Sequence, residues 1–471
     1  MNFTVATSAL LTLLCTGVAW GQRASVRDSI DRFLEAELTR QRIPGMSVAV
    51  LRGDSVILSR GYGFANVGQR VPATDSTLYM VGSLSKPFTA AAIVLLSQQR
   101  RLGLDDPIIK YLPEGRAVWS GVTIRHLLTH TAGVPQDTLL DWSQEYSESE
   151  TVRSAAQPLE FKPGALESYS STGYALLGVI IHRATGVPWA DYVREHIFRP
   201  LEMRTAGVNP DAERLPGRSL GYQLINDTLK QDQNPVSRSI NSMADCCLSF
   251  STRDLVQWAR GLNHAKVLGE AGLKLSWTPV RLNNAGTYPY GLGWNLLEQR
   301  GYRRIGHSGA WRGSHATFQR YPDFDLTVIV LLNLGQANSE GIAVGIAGIV
   351  EPALTAPHHA QIGFMGGSSP TPIDRLLRAI ADGRDSALVT PEFTATFPAA
   401  RRAIIASFLG MIETWSFLGC DMVRSRGITR LRSRIERICY AKGTVQGRSW
   451  LFTVPYDRAW RAAGLDNVFG I

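Results

Sequence analysis

Lysine is scarce in this chain. Of its 49 basic residues only seven are Lys (86, 110, 162, 230, 266, 274 and 442), so 42 are Arg. A skew of that kind tracks the nucleotide composition of a gene as readily as a binding surface, so the formal charge of +9 does not by itself assign a nucleic-acid partner. Cysteine is also sparse, with five in 471 residues. Setting Cys15 aside, the remaining four are too few for a disulfide scaffold. Neither Cys246-Cys247 nor Cys420 with Cys439 has the spacing of a zinc site. No His lies near either pair in sequence, which argues against thiol catalysis. Cys420 and Cys439 could pair in an oxidising compartment. The adjacent Cys246-Cys247 read as two small buried apolar residues, with a vicinal disulfide as the alternative. The 44 glycines follow no triplet period and 44% of the chain is apolar, which excludes a collagen and a disordered polymer.

Long apolar runs are absent but for one, residues 4–20, TVATSALLTLLCTGVAW. It is short for a spanning helix, and Ala19-Trp20-Gly21 puts small residues at the −3 and −1 positions of a cleavage site. Residues 1–21 therefore read as a secretory signal, with a retained anchor as the alternative. Leu14 before Cys15 is too large for a lipidation site. A secreted or periplasmic destination follows, with no membrane span after cleavage.

The stretch SVRDSIDRFLEAELTRQR has helical spacing, and MSVAVLRGDSVILSRGYGFAN reads as two strands joined by a Gly-Asp turn. Helical patterns follow from Lys86 through AAIVLLSQQRR and from Tyr174 to Arg183. Strand-like runs then occur at YGLGWNLL, YRRIGHSG, HATFQRYP and LTVIVLLNL. Strands first, helices between and strands last predict one sheet closed by both ends of a domain spanning 22–355. PHHAQIGFMGGSSPTP marks a linker at 356–371. Residues 372–471 form a separate small α+β unit, with a helix at DRLLRAIADG and strands at ITRLRSRI and SWLFTV. Trp450 and Phe452 are available for its core.

The chemistry concentrates at Val81-Gly82-Ser83-Leu84-Ser85-Lys86-Pro87. A Ser three residues before a Lys at a helix start puts both side chains on one face, one turn apart. A neutral amine there can take the hydroxyl proton, and the helix N-terminus favours the developing negative charge. An idle, solvated Lys would sit oddly before so apolar a helix. Three further segments accompany it in order: Ile124-Arg125-His126-Leu127-Leu128-Thr129-His130-Thr131-Ala132-Gly133, Glu167-Ser168-Tyr169-Ser170-Ser171-Thr172-Gly173, and Gly306-His307-Ser308-Gly309-Ala310. Together with Tyr290-Gly291-Leu292-Gly293-Trp294 they resemble the serine β-lactamase and penicillin-binding-protein superfamily, in its class C β-lactamase, DD-peptidase and esterase branch, over about residues 25–355.

The resemblance implies an α/β chain of the α+β type, with an antiparallel sheet flanked by helices and an all-helical lobe. It also implies a serine hydrolase without cofactor or metal. Ser83 matches the acylated nucleophile, Lys86 its partner in proton transfer, and Tyr169 the tyrosine that relays protons to the leaving group. The oxyanion hole would be the backbone N–H of Ser83 and of Ala310, with Ser171, His307, Ser308 and Gly309 along the substrate. His126 and His130 read as structural turn residues.

Two positions depart from the β-lactamase pattern. Ser171 stands where an Asn binds the acyl-side amide, and a hydroxyl cannot offer that paired donor and acceptor. His307 stands where a Lys faces the substrate carboxylate, replacing a fixed charge by a switchable imidazole. Both fit an esterase or D-amino-acid peptidase acting on a small ester, amide or peptide better than a β-lactamase or DD-carboxypeptidase. An inactive binding protein is the remaining alternative, against which stand intact Ser83, Lys86 and Tyr169. A third departure, Asp245-Cys246-Cys247-Leu248, replaces a Gly pair at the cleft edge. The basic excess lies in the tail: residues 371–471 hold fifteen basic and nine acidic residues. Arg430, Arg432 and Arg434 would share one face of a strand there, read as a solvated face. No nucleic-acid partner is expected, and contact with the cell envelope is left open for the tail.

Overall fold

Between Gly45 and Arg52 the chain carries one buried residue after another, Ser47 included, which requires cover on both faces. The computed structural model shows how that cover is supplied. It describes residues 25–468 apart from 137–139, 209–216, 356–371 and, in the tail, 385–386, 395–402, 404–406, 408–409, 423–428, 431–432, 446–447 and 464. The expected signal segment with Cys15, and the expected linker, lie outside the described residues.

Gly45–Arg52 pairs antiparallel with Ser55–Asn66 on one side and with the late strand Leu326–Leu332 on the other, so both ends of the domain meet in one sheet. The seven strands run in the spatial order Asn295–Gln299, Tyr302–Trp311, Ser314–Tyr321, Leu326–Leu332, Gly45–Arg52, Ser55–Asn66, Val71–Pro72. Register places Val48 opposite Val330 and Val50 opposite Val328. This face packs on Ile30 and Leu34 of the helix Val26–Gln41 and on Ile342 and Ile346 of the helix Ser339–Val350. The alternate residues Ala49, Leu51, Ile329 and Leu331 face a helical lobe. Each Val, Leu or Ile side chain so buried contributes about 1.5–3 kcal/mol. Val26–Gln41 starts at a capping box in which Ser25 Oγ accepts from Asp28 N and the Asp28 carboxylate accepts from Ser25 N, both at 3.1 Å.

The helix Lys86–Gln98 is apolar all round and sits inside the lobe, as such a helix must. Its Phe88 ring lies 4.7 Å from Phe250 and 4.5 Å from Trp258. Because this helix is held on every side, the turn that precedes it is held too, and that turn carries Ser83.

In the tail, Thr414–Met422, Arg437–Val445, Arg448–Tyr456 and Asp466–Val468 form a four-stranded antiparallel sheet. Leu376 and Ile380 of the helix Pro372–Ala381 pack on Cys439, Ala441, Phe452 and Val454, and Leu282 joins the same cluster from the preceding domain. Cys420 faces Cys439 in register, and a disulfide joins them. Trp450 is in a strand, but its side chain lies outside the described residues. The expected single strand across 428–435 is instead two short strands, with Thr429 opposite Arg434 and Arg430 opposite Ser433. That run offers little apolar surface to hold eight residues extended. The chain folds back, and Ile435 is buried against Ile438, Tyr440 and Ala463. By this register Arg430 and Arg434 do not lie on one continuous strand, and Arg432 lies outside the described residues.

Candidate active site

Ser83 lies in a single 3-10 turn, Gly82–Ser85, that runs directly into the helix Lys86–Gln98. Spacing alone predicts a meeting of Ser83 with Lys86, and Lys86 Nζ donates to Ser83 Oγ at 2.9 Å. The strand Tyr302–Trp311 passes against this turn at van der Waals limits. A Cβ on Gly309 would fall 2.5 Å from Ser83 N, and one on Gly82, whose φ is +54°, would fall 2.5 Å from Ala310 N. Only glycine at both positions lets the backbone nitrogens of Ser83 and Ala310 border one space.

Lys86 is fully buried and has three acceptors: Ser83 Oγ, the Asp245 carbonyl at 3.0 Å and Ser171 Oγ at 3.3 Å. Its Nζ also lies 4.9 Å from the centre of the Tyr169 ring. Two neighbours on the same helix start fasten the segment that carries Asp245. Ser85 Oγ accepts from Leu248 N at 3.1 Å, and Thr89 Oγ1 donates to the Ala244 carbonyl at 2.7 Å. The unusual Asp245-Cys246-Cys247-Leu248 stretch is thus pinned to the start of the helix Lys86–Gln98. Contrary to the expectation of two unlinked buried cysteines, Cys246 and Cys247 are joined by a disulfide. A turn over residues 244–246 brings the two neighbouring sulfurs together, which side-chain chemistry alone could not signal.

Tyr169 immediately precedes Ser170, the N-cap of the helix Ser171–Thr185, whose Oγ accepts from Gly173 N at 3.1 Å. His130 grips both sides of Tyr169. Its carbonyl accepts from Ser168 N at 2.8 Å and its Nδ1 accepts from Ser170 N at 3.1 Å. To do so it adopts a φ of +57°, a region that a non-glycine residue enters only when its surroundings hold it there. The sequence reading made His130 a turn residue, and the structure gives it a larger part. By contrast His126 stays in its own capping turn, where its ring Nδ1 accepts from Thr123 N at 3.2 Å.

The bonds beyond His130 have a determined direction. With Nδ1 accepting from Ser170 N–H, neutral His130 carries its proton on Nε2 and donates to Tyr290 Oη at 3.2 Å. At the far end His307 Nδ1 lies 2.6 Å from the Ser308 carbonyl and must donate, leaving Nε2 to accept from Tyr290 at 3.1 Å. One tyrosine hydroxyl therefore locks two neutral imidazoles. Burial drives His130 well below the ordinary histidine range and His307 down to about 3, and the Lys86 charge pushes both the same way. Burial also raises Tyr290 well above the usual phenol, so its proton stays in place. This corrects the expectation of a switchable His307. The imidazole lines the cleft, but both of its nitrogens are engaged and it is uncharged at any ordinary pH.

Two cavities open from Ser83. One, of about 470 Å³, is walled by Tyr169, His307, Ser308 and Gly309 and extends to Asn338 and Glu340. The other, of about 280 Å³, is walled by Ser171, Trp142, Trp311, Asp245 and Cys246. Ser83 and Ala310 border both, and Lys86 lies beneath Ser83. Every residue expected in the catalytic or substrate-binding site thus comes to one place, whereas His126 does not. Tyr290 and the two tryptophans were not singled out. The Tyr290 motif was visible, but its contacts with residues 160 and 17 positions away were not. Among the described residues no group of three or more His, Cys, Asp or Glu could hold a metal ion, and no helix is long and apolar enough to cross a membrane.

A family model described as Beta-lactamase matches residues 30–347. The chain belongs to the β-lactamase family. As a serine hydrolase of this family it is 31% identical over 310 residues to penicillin-binding protein 4* of Bacillus subtilis (strain 168), a match covering 61% of this chain and 67% of that protein. The octameric penicillin-binding protein homologue from Pyrococcus abyssi has the same fold, with a TM-score of 0.63 at 20% identity, covering 94% of this chain and 98% of that one. A D-stereospecific amidohydrolase from Streptomyces sp. superimposes with a TM-score of 0.57 at 25% identity over 67% of this chain and 97% of its own.

Proposed function

We propose that this β-lactamase-family hydrolase cleaves small esters or amides through an acyl-enzyme on Ser83, as an esterase or D-amino-acid peptidase. The observation that carries the reading is the 2.9 Å bond from buried Lys86 to Ser83 Oγ, beside two backbone nitrogens brought together at paired glycines. With Lys86 in its neutral form, the Ser83 proton passes to its amine as Oγ bonds to the substrate carbonyl carbon. The carbonyl oxygen becomes an oxyanion facing Ser83 N–H and Ala310 N–H. Collapse breaks the bond to the leaving oxygen or nitrogen, which receives a proton by way of Tyr169. Water then adds to the acyl ester while Lys86 and Tyr169 accept its proton, and the acid departs as Ser83 recovers its hydrogen.

His307 supports the preference for substrates without a terminal carboxylate. Held neutral, with both nitrogens occupied, it supplies no cation where a penicillin or a D-Ala-D-Ala peptide would present its charge. A β-lactamase or DD-carboxypeptidase remains the second reading, favoured by the likeness to penicillin-binding protein 4*. We further place the enzyme outside the cytoplasm, in the periplasm or secreted. The apolar segment 4–20 and the two disulfides support that compartment.

Side-by-side turnover of p-nitrophenyl acetate, nitrocefin and a D-Ala-D-Ala peptide tests the reading. Ester turnover well above the other two is expected. Preference for nitrocefin or the peptide would transfer the assignment to the second reading. A folded wild type that turns over none of them and resists a fluorophosphonate probe would leave an inactive binding protein.

A further inference from the structure

The smaller of the two cavities contains a group the mechanism does not use. The carbonyl of Asp245 holds Lys86, Asp245 is also one of the residues lining the cavity, and its Oδ1, buried behind that wall, has no hydrogen-bond partner. A carboxyl oxygen removed from water without a donor is costly and is seldom left so unless something occupies the site. The same cavity is also walled by two indoles. Trp142 and Trp311 stack with ring centres 5.1 Å apart, and Trp142 is 53% exposed at the mouth. Both are held in position. Trp311 Nε1 donates to Asn241 Oδ1 at 3.3 Å, and the Trp142 carbonyl accepts from Ser237 N at 2.8 Å.

A carboxylate on one wall and indole faces on another attract one class of group, an organic ammonium. We propose that this cavity is the acyl-side subsite and that Asp245, with Trp142 and Trp311, recognises a substrate whose acyl group carries a free amine, such as an amino-acid ester, an amino-acid amide or a peptide with an unblocked N-terminus. The proposal rests on the Ser83 acyl-enzyme reading and narrows its substrate class. Ser171, the residue expected on the acyl side, lines this cavity, whereas Tyr169, expected to serve the leaving group, lines the other. Burial raises the Asp245 carboxyl above its ordinary range, while the Lys86 charge and a hydrogen bond from its own backbone N–H oppose that, and an arriving ammonium would add a further counter-charge.

The test is the ratio of kcat/KM for an amino-acid p-nitroanilide with a free ammonium to that for its N-acetylated counterpart. In the wild type the ratio is expected to exceed unity by at least about tenfold, the worth of a charge-assisted hydrogen bond. In Asp245→Asn the ratio is expected to collapse towards unity. A wild-type ratio at or below one overturns the proposal without recourse to any variant, so misfolding of Asp245→Asn cannot shelter it. A variant in which both substrates lose rate equally, with the ratio intact, also overturns it and assigns Asp245 to the electrostatics of Lys86. Fluorophosphonate labelling of Ser83 in parallel separates the two levels. Labelling without ammonium preference sinks only this proposal, and absence of labelling sinks the acyl-enzyme reading beneath it.

Discussion

The two cavities that open from Ser83 solve opposite problems with the same kinds of residue. On the His307 side the ring nitrogens of His130 and His307 are all engaged, each imidazole is neutral and one tyrosine hydroxyl bridges the two rings. On the Asp245 side a carboxyl oxygen is left without a partner beside an exposed indole. A buried polar network that is fully satisfied makes a rigid wall, whereas an unsatisfied group waits for a ligand. On the proposed mechanism, the difference puts rigidity on the side where the leaving group would be protonated, and selectivity on the other.

The largest effect should be blind to that difference, because Ser83 borders both cavities. Ser83→Ala is expected to lower kcat for p-nitrophenyl acetate by at least about 10⁴-fold, measured under steady-state conditions with folding checked by circular dichroism. Lys86→Arg keeps a cation but removes the base, and a loss of about 10²–10⁴-fold is expected. Retention of near-full activity in that variant would show that proton transfer runs elsewhere.

On the rigid side, Tyr290→Phe deletes one hydroxyl and strands a donor on His130 and an acceptor on His307. A stability loss of about 1–3 kcal/mol is expected by urea denaturation, together with a lower kcat, since His130 also positions Tyr169. A variant as stable as the wild type would contradict the locked chain.

The same lock has a signature in pH. His130 and His307 are held neutral when folded, below the 6.5 of an exposed imidazole, so the unfolded chain binds protons that the native one refuses. The contribution of His307 is therefore complete above about pH 6.5 and is lost as pH falls towards about 3, and that of His130 is lost in the same direction. His307 is expected to remove about 1.4 kcal/mol of stability per pH unit through its window. Denaturation at pH 7.5, 6 and 5 should show a slope that His307→Gln reduces by about one proton, and ester turnover should show no acid limb from His307 between pH 5 and 7.

The smallest effect belongs to the open side. Trp142→Ala removes a half-exposed ring and should change stability by less than about 0.5 kcal/mol. It should lower kcat/KM for an ammonium substrate by about two- to fivefold, the worth of an exposed cation–π contact.

What the sequence revealed of the site depended on how locally each contact is encoded. Ser83 and Lys86 meet because three residues make one helical turn, and Tyr169 stands out because a helix starts directly after it. The closing of one sheet by Gly45–Arg52 and Leu326–Leu332 was legible as early and late apolar runs, since burial on both faces leaves that mark. The state of His307 was not legible, because it is set by Tyr290 and, through Tyr290, by His130. Those residues are brought together only by the packed lobe. Asp245 and the Cys246–Cys247 disulfide were visible as a departure without a purpose, and only the side chains of Ser85, Lys86 and Thr89 show why that segment lies in the cleft. The single strand expected across 428–435 is instead two short ones, because a two-residue period describes a strand only where something holds it extended.

The central claim is a covalent intermediate on one serine. Rapid acid quench of the wild type during p-nitrophenyl ester turnover, followed by peptide mass spectrometry, should find the acyl mass on the peptide containing Ser83 and nowhere else. In Ser83→Ala that mass should be absent. Steady turnover with no acylated peptide, or with the acyl group on another residue, would contradict the account.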